Sequence, residues 1–545
     1  MALNGVTWAP EAQLLLGLLG LLYYGTGPVV TPVAETLWIP KSKSVATPLE
    51  LNQIPLLPAG GPLHGPSHLT WWAVVWCLLG AFQIWTCPFG VLQAGGVFLR
   101  DSFSVLLGTA LFIYAALAIA IAAGWSKQAG IAHTEYFVLV LLAVLGQYLL
   151  LMTTDLMALY LCLELQSFAL VVLCSLNYAS PYSVEAGMKY FLLSAFSSCL
   201  LLLGIGLIYW NTGLTRCAHL QELLAATAGE PSLGLWLGIW LVGLGLLWKL
   251  AAAPIHMWAA DVYQGAWSSV TLLISTLPKI AVLGFWAHTW HSIWCTAFGG
   301  ALAFFSAFSL VVGAVAPLGQ AQLKRLLAFS SIGHMGLLLM PLAGGTEGLA
   351  ALWAHLGIYV VTSLAVWGLM LWPFDRPGGG TAALPVNPSQ APVLESTSSE
   401  ANIKMFETTI GGGAAPQYIW DLAGLQNSLP VAATAWAGAM LSLAGLPPVA
   451  GFLGKLGLFW WGLNTHQYAL VLLALVATLL GSVYYLRVLK VAYVDTPRSW
   501  GTYGPCAAPT AYLIAIAWAI LAGALWHGAP LVLATHLLAL ATSFT

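Results

Sequence analysis

Long apolar stretches recur along the whole chain, and each has about the length that crosses a bilayer. A spanning helix needs about 20 mostly apolar residues. Fourteen such stretches, here called spans 1 to 14, lie at roughly 9–26, 70–92, 103–124, 133–152, 154–177, 183–210, 232–263, 266–290, 295–317, 321–342, 347–372, 428–465, 467–492 and 509–535. Because a span must satisfy its own backbone hydrogen bonds in lipid, the pattern predicts an all-α polytopic membrane protein.

Spans 7 and 12 are too long for one simple crossing, and both contain proline, at Pro254 and at Pro447-Pro448. We therefore expect each to be a broken helix. The two lie five spans apart, so they cross the membrane in opposite directions, which is the layout of an inverted repeat. A proline kink that serves only packing is the alternative.

The composition excludes several classes of protein. Hydrophobic residues make up 60% of the 545 residues and charged residues only 6%, whereas a soluble domain carries about 25% charged residues. The net charge of −2 gives no long-range field, so we expect no nucleic-acid partner. The eight cysteines are at least ten residues apart, so we expect no metal or redox site.

Two long connections, 27–69 and 373–427, are rich in Pro, Gly, Ser and Thr, which is typical of irregular structure. The first basic residue is Lys41, so the first apolar stretch has no charged leader before it and is expected to be a membrane helix.

Basic residues are distributed unevenly between the two sides of the membrane. If the N-terminus lies on side one, only Arg100 and Arg216 face side one. Eleven face side two: Lys41, Lys43, Lys127, Lys189, Lys324, Arg325, Arg376, Lys404, Arg487, Lys490 and Arg498. The positive-inside rule assigns side two to the matrix or cytoplasm and both termini to the opposite side.

Three lysines, Lys249, Lys279 and Lys455, lie inside predicted spans. A lysine at the centre of a membrane helix costs about 2.5–3.5 kcal/mol on insertion scales, so we favour a functional role over snorkelling. Glu164 is equally deep in span 5. It is either a proton-exchanging group or the partner in a structural ion pair, and one residue can serve as both. Burial disfavours the charged form of an amine, so a lysine without its own counter-ion can exchange protons near neutral pH.

Three further residues are candidate relays. His334 lies about 15 Å into span 10, after Ser330 and Ser331, and is either a relay or a satisfied core histidine. Asp261 is a second counter-charge or a helix-end surface acid, and His256 follows Pro254 in the broken span 7. We assign the histidines His288, His291 and His355 to interfacial or packing positions.

Motifs across spans 4 to 13 resemble the antiporter-like subunit 2 family of mitochondrial NADH:ubiquinone oxidoreductase. They are Leu163-Glu164-Leu165-Gln166-Ser167, Glu185-Ala186-Gly187-Met188-Lys189-Tyr190, Pro254-Ile255-His256-Met257-Trp258-Ala259 with Asp261-Val262-Tyr263, Pro278-Lys279-Ile280, the segment from Lys324 to Gly336, and the segment from Gly451 to Lys455.

The resemblance implies fourteen helices with two inverted five-helix repeats. It divides the chain into 1–132 (spans 1–3 with loop 27–69), 133–290 (first repeat, spans 4–8), 291–492 (second repeat, spans 9–13, with insert 373–427) and 493–545 (span 14). In that family the positions of Glu164, Lys249, Lys279 and Lys455 form a charged axis that also includes His334. The related subunits 4 and 5 usually carry His at the position of Lys279, which favours subunit 2.

The resemblance also implies redox-driven proton translocation across the inner mitochondrial membrane. NADH, FMN, iron–sulfur clusters and ubiquinone are then expected in partner subunits, with no cofactor in this chain. The expected neighbours are subunits 4 and 4L, accessory subunits and membrane lipids.

Two other functions remain open from the sequence. A stand-alone cation/proton antiporter subunit would use the same lysines without a redox partner, and a structural membrane subunit would not need them. A nucleotide site in this chain is not expected, because the sequence has no Gly-rich phosphate-binding motif after a strand.

Overall fold

The computed structural model describes most of the helical part of the chain. The described residues are 9–26, 66–86, 91–93, 96–128, 134–178, 180–226, 232–298, 300–344, 348–372, 374–375, 416–496, 502–503, 508–523 and 535–539. Most of loop 27–69 and of insert 373–427 lies outside these residues.

The first half consists of helices that follow the predicted spans, with one short additional helix, α7, between spans 6 and 7. They are α1 Ala9–Thr26, α2 Pro66–Thr86, α3 Ser102–Gln128, α4 Thr134–Met152, α5 Leu156–Ser175, α6 Pro181–Thr212, α7 Cys217–Ala226, α8 Leu233–Lys249 and α9 Met257–Gly265. Between α2 and α3, strands β1 (Val91–Gln93) and β2 (Phe98–Arg100) form an antiparallel hairpin.

The second half continues in the same way. Its helices are α10 Ser268–Phe285, α11 His291–Phe298, α12 Ala301–Val315, α13 Leu323–Leu342, α14 Leu349–Met370, α15 Leu425–Ser428, α16 Pro430–Ala444, α17 Ala450–Asn464, α18 Tyr468–Tyr493 and α19 Ala508–Gly523. Strands β3 (Phe374–Asp375) and β4 (Thr502–Tyr503) pair antiparallel. Single 3-10 turns lie at Ala316–Gly319 and Ile419–Leu422.

Within the described residues, ten helices are long and apolar enough to cross a membrane, and four shorter helices are also apolar. The prediction of an all-α, multi-pass membrane protein is therefore confirmed. Each predicted span overlaps at least one of these helices.

The boundary between spans 8 and 9 differs from the sequence expectation. Spans 8 and 9 were separated at 290–295, but α10 continues through a π-helical turn, Trp286–Trp290, into α11 and ends at Phe298. Three fully buried tryptophans, Trp286, Trp290 and Trp294, pack along this extension. A hydrophobicity pattern cannot locate the end of a helix whose last turns are as apolar as its centre.

Both broken helices are present. Residues 250–256 separate α8 from α9, and residues 445–449 separate α16 from α17. Breaking a helix in lipid frees backbone groups that need new partners. At the first break the Ala253 N–H donates to Ser309 Oγ of α12 (2.9 Å). At the second break the carbonyls of Leu443 and Ala444 accept from Lys455.

The end of insert 373–427 is more regular than its composition suggested. Residues 416–428 contain the turn Ile419–Leu422 and helix α15. The Leu323 N–H donates to the Gln417 carbonyl (2.9 Å), and the Ile419 N–H donates to the Ala321 carbonyl (3.0 Å). These backbone bonds fix the segment against the start of α13.

Helix α10, Ser268–Phe285, is buried along its whole length. By contrast, α6 and α18 carry rows of exposed large apolar side chains. In a membrane protein such faces meet lipid or a neighbouring subunit.

Candidate functional site

The three lysines predicted inside spans are all buried. The exposed fraction is 7% for Lys249, 2% for Lys279 and 6% for Lys455. Each lies at an irregular point of its helix: Lys249 is the last residue of α8, Lys279 follows Pro278 within α10, and Lys455 lies in the second turn of α17. The helix breaks and the proline thus place the charges where backbone polar groups are available.

Lys249 and Glu164 do not form a direct ion pair among the described residues. The Lys249 ammonium instead donates to Ser194 Oγ of α6 (3.0 Å). Glu164 lies within electrostatic reach of Lys249, and in the described part of the chain its buried Oε1 atom has no hydrogen-bond partner. Glu164, Ser194 and Lys249 therefore form a loose group of three side chains on α5, α6 and α8.

Lys279 is held by an aromatic residue of α14. Its ammonium donates to the Tyr359 hydroxyl (3.0 Å) and lies 4.9 Å from the centre of that ring. The Tyr359 hydroxyl donates in turn to the Ser275 carbonyl (3.3 Å), one turn before Lys279 on α10. No acidic partner of Lys279 is present among the described residues.

His334 is part of a chain of polar side chains rather than a lone core histidine. Its ring lies 5.3 Å from the Tyr359 ring, and its Nδ1 is 3.4 Å from His355 Nε2. On the other side, its Nε2 is 3.5 Å from the Tyr485 hydroxyl, which donates to Ser330 Oγ (2.8 Å).

His355 was assigned to an interfacial or packing position. It is 2% exposed and its ring stacks on His334, which fits packing, but its Nε2 also lies 3.4 Å from His334 Nδ1, a polar contact that the sequence did not indicate. The sequence does not show which residue a buried histidine contacts, and His334 is 21 positions away from His355. Only the depth of His355 in span 11 could have identified it as a candidate site residue.

Lys455 faces the same chain of polar groups. It lines a cavity together with His334, Ser330, Tyr484 and Tyr485. Its ammonium donates to the carbonyls of Leu443 (2.8 Å) and Ala444 (2.7 Å) at the end of α16. The C-terminal end of a helix carries partial negative charge, which stabilises a cation there.

The structure thus brings Lys279, His334 and Lys455 into one buried network, with His355, Tyr359 and Tyr485 as members that the sequence did not indicate. Lys249 and Glu164 form a second group in the first half of the chain. We call these the central network and the Lys249 group. Hydroxyl, imidazole and amine groups in contact can pass protons between them.

The remaining candidate relays lie elsewhere. Asp261 is a partly exposed acid that pairs with Lys189 (3.0 Å) and Arg325 (3.3 Å), and Lys189 also pairs with Glu185 (2.7 Å). This favours the surface-acid alternative over a counter-charge for the buried lysines. His256 is half-buried directly before α9, and none of the residues that the structure describes forms a hydrogen bond with its Nδ1 atom.

One buried cation was missed. Arg100 is fully buried and donates to Glu11 of α1 (2.9 Å) and to the Tyr148 hydroxyl of α4 (3.0 Å). The sequence placed it at a loop edge on side one, because it precedes α3. Packing of α1 and α4 over that edge buries it. We regard it as a structural ion pair that ties α1 to the hairpin β1–β2.

Comparison with known proteins identifies similar chains. The model of the family "NADH:quinone oxidoreductase/Mrp antiporter, TM" matches residues 153–372 and 401–481. The chain is 33% identical to "NADH-ubiquinone oxidoreductase chain 2" of Marchantia polymorpha, over 81% of this chain and 83% of that protein. It is 37% identical to "NADH-quinone oxidoreductase subunit N" of Azorhizobium caulinodans, over 74% and 77% of the two chains.

The fold is also similar to a solved structure. A chain of respiratory complex I from Thermus thermophilus superposes with a TM-score of 0.68 at 25% sequence identity. The alignment covers 96% of this chain and 98% of that chain. The similarity therefore includes the parts of the chain on either side of the family match.

Proposed function

Because the chain belongs to the NADH:quinone oxidoreductase/Mrp antiporter transmembrane family, we propose that it is a proton-translocating membrane-arm subunit of NADH:quinone oxidoreductase. The finer assignment that we propose is subunit 2 in the inner mitochondrial membrane, with both termini on the intermembrane side. It has fourteen spans and two inverted five-helix repeats, spans 4–8 and 9–13.

The observation that carries the proposal is the central network. Lys279 contacts the Tyr359 hydroxyl, and the Tyr359 ring packs on His334, which lines a cavity with Lys455. All of these side chains are buried. Buried amines that lack an acidic partner are costly to keep charged, so a structural role alone does not account for them.

In this function the two lysines of the central network hold a proton alternately. When Lys279 is charged, it donates to the Tyr359 hydroxyl. A proton that leaves Lys279 passes to hydroxyl and imidazole groups around His334 and raises the positive charge beside Lys455. Repulsion between the two charges disfavours protonation of both at once. The network therefore favours movement of protons over their accumulation.

The Lys249 group supplies the same chemistry in the first repeat. Glu164 and Lys249 interact through space, and Ser194 Oγ accepts from the ammonium. A change in the position or charge of Glu164 alters how strongly Lys249 holds its proton. We propose this as the point at which a neighbouring subunit acts on the chain.

Electron transfer takes place in partner subunits in this proposal. NADH, FMN, the iron–sulfur clusters and ubiquinone belong to those subunits, and this chain contributes the proton path. The neighbours are subunits 4 and 4L, and accessory subunits and membrane lipids cover the remaining surfaces.

The test is proton translocation by the assembled enzyme with Lys279→Ala. NADH oxidation and proton uptake are measured in proteoliposomes, and enzyme content is measured by NADH oxidation with an artificial electron acceptor. We expect normal content and a large loss of pumping. Normal pumping would refute the role of this chain in translocation. Sodium/proton exchange by the chain purified without partner subunits would support the stand-alone antiporter instead.

A further inference from the structure

Three aromatic rings stack across the first helix break. Trp248 is the second-last residue of α8, and Trp258 is the second residue of α9. Their ring centroids lie 5.1 Å apart, and Tyr190 of α6 stacks on both, at 6.1 Å from Trp248 and 5.0 Å from Trp258. All three side chains are buried. Aromatic pairs attract one another beyond the area that they bury, so these rings, here called the aromatic clamp, join both sides of the break to α6.

One hydrogen bond of the aromatic clamp also spans the break. The indole Nε1–H of Trp258 donates to the Trp248 carbonyl (3.0 Å), which also accepts from the Ala251 N–H (2.9 Å). Both lone pairs of that carbonyl are therefore used. Ala251 itself has φ +57°, a left-handed conformation that is unfavourable for alanine and persists only where surrounding contacts enforce it. The indole bond is one such contact.

The Lys249 ammonium lies against the aromatic clamp. Its nitrogen is 5.2 Å from the centre of the Trp248 ring, which is a cation–π distance. Its hydrogen-bond acceptor, Ser194 Oγ, is one helical turn after Tyr190 on the same face of α6. Tyr190 and Lys249 both lie within electrostatic reach of Glu164. The aromatic clamp therefore holds both the ring and the helix face that the ammonium contacts.

An ion pair also joins α9 to α6, nearer the surface. Asp261, one turn after Trp258, accepts from Lys189, which directly precedes Tyr190 on α6 (3.0 Å). Both side chains are about one-third exposed or more, and exposed pairs contribute little to holding two elements together. The buried rings are therefore the stronger of these two contacts between α6 and α9.

We propose that the aromatic clamp positions the Lys249 ammonium, and that Trp258 is the positioning residue that holds the clamp closed. Its bond to the Trp248 carbonyl keeps the Trp248 ring against the ammonium, and this keeps Lys249 within reach of Glu164. Residues 250–256 form turns rather than helix, so a shift of α9 reaches Lys249 through the two indole rings. The inference rests on the proposed function, to which it adds the residues that fix the Lys249 group.

The test variant is Trp258→Phe in the assembled enzyme, with coupled turnover measured as NADH oxidation by quinone. It removes the indole N–H and keeps an aromatic ring against Tyr190. We expect normal enzyme content and roughly fivefold slower turnover, the effect of losing about one hydrogen bond.

The deciding measurement is the same substitution in a Lys249→Ala background. A residue that acts through Lys249 has no further effect once that lysine is absent, so Trp258→Phe should leave the turnover of Lys249→Ala unchanged. A residue that only stabilises the fold lowers turnover by the same factor in both backgrounds, and that result would overturn the proposal.

The matched control is Trp294→Phe. Trp294 is fully buried and stacks on Trp240 (5.5 Å), but in the described part of the chain its indole N–H has no hydrogen-bond partner. The control therefore trims a buried, stacked tryptophan without breaking a hydrogen bond, and it should retain normal coupled turnover. An equal loss in both variants would overturn the proposal, because it would show that trimming any buried tryptophan slows the enzyme.

If Trp258→Phe does not assemble, Tyr190→Leu carries the test. It removes the ring that stacks on both tryptophans and keeps an apolar side chain. We expect slower turnover here as well, and again no further effect in the Lys249→Ala background. Unchanged turnover in Tyr190→Leu would overturn the proposal.

Lys249→Ala alone separates this inference from the proposed function. A pumping defect in Lys249→Ala together with normal turnover in Trp258→Phe would refute the aromatic clamp and leave the role of the Lys249 group intact. Normal pumping in Lys249→Ala would refute the role of the Lys249 group itself, and the aromatic clamp with it.

Discussion

At the scale of single residues, Lys279 is the group whose chemistry is most constrained. It has a hydroxyl partner, Tyr359, and is 2% exposed. Arginine at this position would stay charged at any working pH. We therefore expect Lys279→Arg to block pumping although it keeps the positive charge, and Lys279→His, as in related subunits, to retain part of it. The measurement is the proton-to-NADH ratio of assembled enzyme in proteoliposomes.

The matched control is Arg325→Lys at the partly exposed ion pair with Asp261. It exchanges the same two groups, guanidinium and ammonium, in the opposite direction. It should cost little, because exposed pairs contribute about 0–1 kcal/mol. If Lys279→Arg pumps as well as the unmodified enzyme, a fixed charge is sufficient at this site and the carrier role is wrong.

The Lys249 group gives a second residue-scale prediction. Lys249→Ala should leave the enzyme assembled with a large pumping defect, and Glu164→Gln should slow coupled turnover. Lys249 donates to Ser194 and interacts electrostatically with Glu164. If Glu164 acts through the charge of Lys249, its replacement has little further effect once that charge is gone, so the double variant should be little worse than Lys249→Ala alone. Additive defects in these turnover measurements would show that the two residues act independently.

The depth of the charged residues could be predicted from sequence, whereas their partners could not. A lysine inside an apolar run is visible without any structure, as for Lys249, Lys279 and Lys455. Tyr359 lies 80 residues from Lys279, and Tyr485 lies 151 residues from His334. Only tertiary packing brings such residues together. Arg100 was misjudged for the same reason, since distant helices bury it.

At the scale of elements, the second break depends on Gly445. This residue ends α16 with φ +77°, a left-handed conformation that glycine adopts without cost. An added Cβ would also overlap Lys455 Cδ. Gly445→Ala should therefore cost about 1–2 kcal/mol in backbone conformation and displace Lys455 from the carbonyls of Leu443 and Ala444. We expect lower thermal stability and reduced pumping.

Gly457→Ala is the control for that variant. Gly457 lies in α17, two residues after Lys455, and a Cβ there meets open space. Alanine in a helix interior is favoured over glycine by about 1 kcal/mol, so stability should be equal or higher and pumping unchanged. A normal proton-to-NADH ratio in Gly445→Ala would show that the carbonyls at the end of α16 are not needed to position Lys455.

The breaks themselves were predictable because their cause is local. Proline removes a backbone donor and disfavours the helix before it, and Pro254 and Pro447 stand inside stretches too long for one span. The extension of α10 to Phe298 was not predictable, because a π-helical turn rich in tryptophan has the same hydrophobicity as a helix centre. The ordered segment 416–427 was also missed, since its backbone bonds are made to residues near 322.

At the scale of the whole molecule, the contacts between connections agree with the predicted sidedness. The Arg325 guanidinium donates to Gln264 Oε1 (3.0 Å) and the Arg487 guanidinium donates to the Leu318 carbonyl (3.2 Å). These four residues were all expected on side two. On the opposite side, Asp155 and Arg216 form a backbone bridge between two connections expected on side one. Connections assigned to the same side thus lie together in the fold, and the assignment of side two to the matrix or cytoplasm stays a prediction.

Insert 373–427 tests the orientation of those surfaces against the membrane. It contains the triplets Gly378-Gly379-Gly380 and Gly411-Gly412-Gly413 together with Lys404. Trypsin cleaves after lysine, so it cuts at Lys404 only if it reaches side two. We expect limited trypsin digestion of inside-out inner-membrane vesicles to cleave at Lys404 before any other site in the chain, with proton pumping retained. Right-side-out vesicles should protect the site, and the fragments are identified by mass spectrometry.

Cleavage only from the intermembrane side would refute the orientation, and loss of pumping on cleavage would refute the view that the insert is dispensable for the proton path.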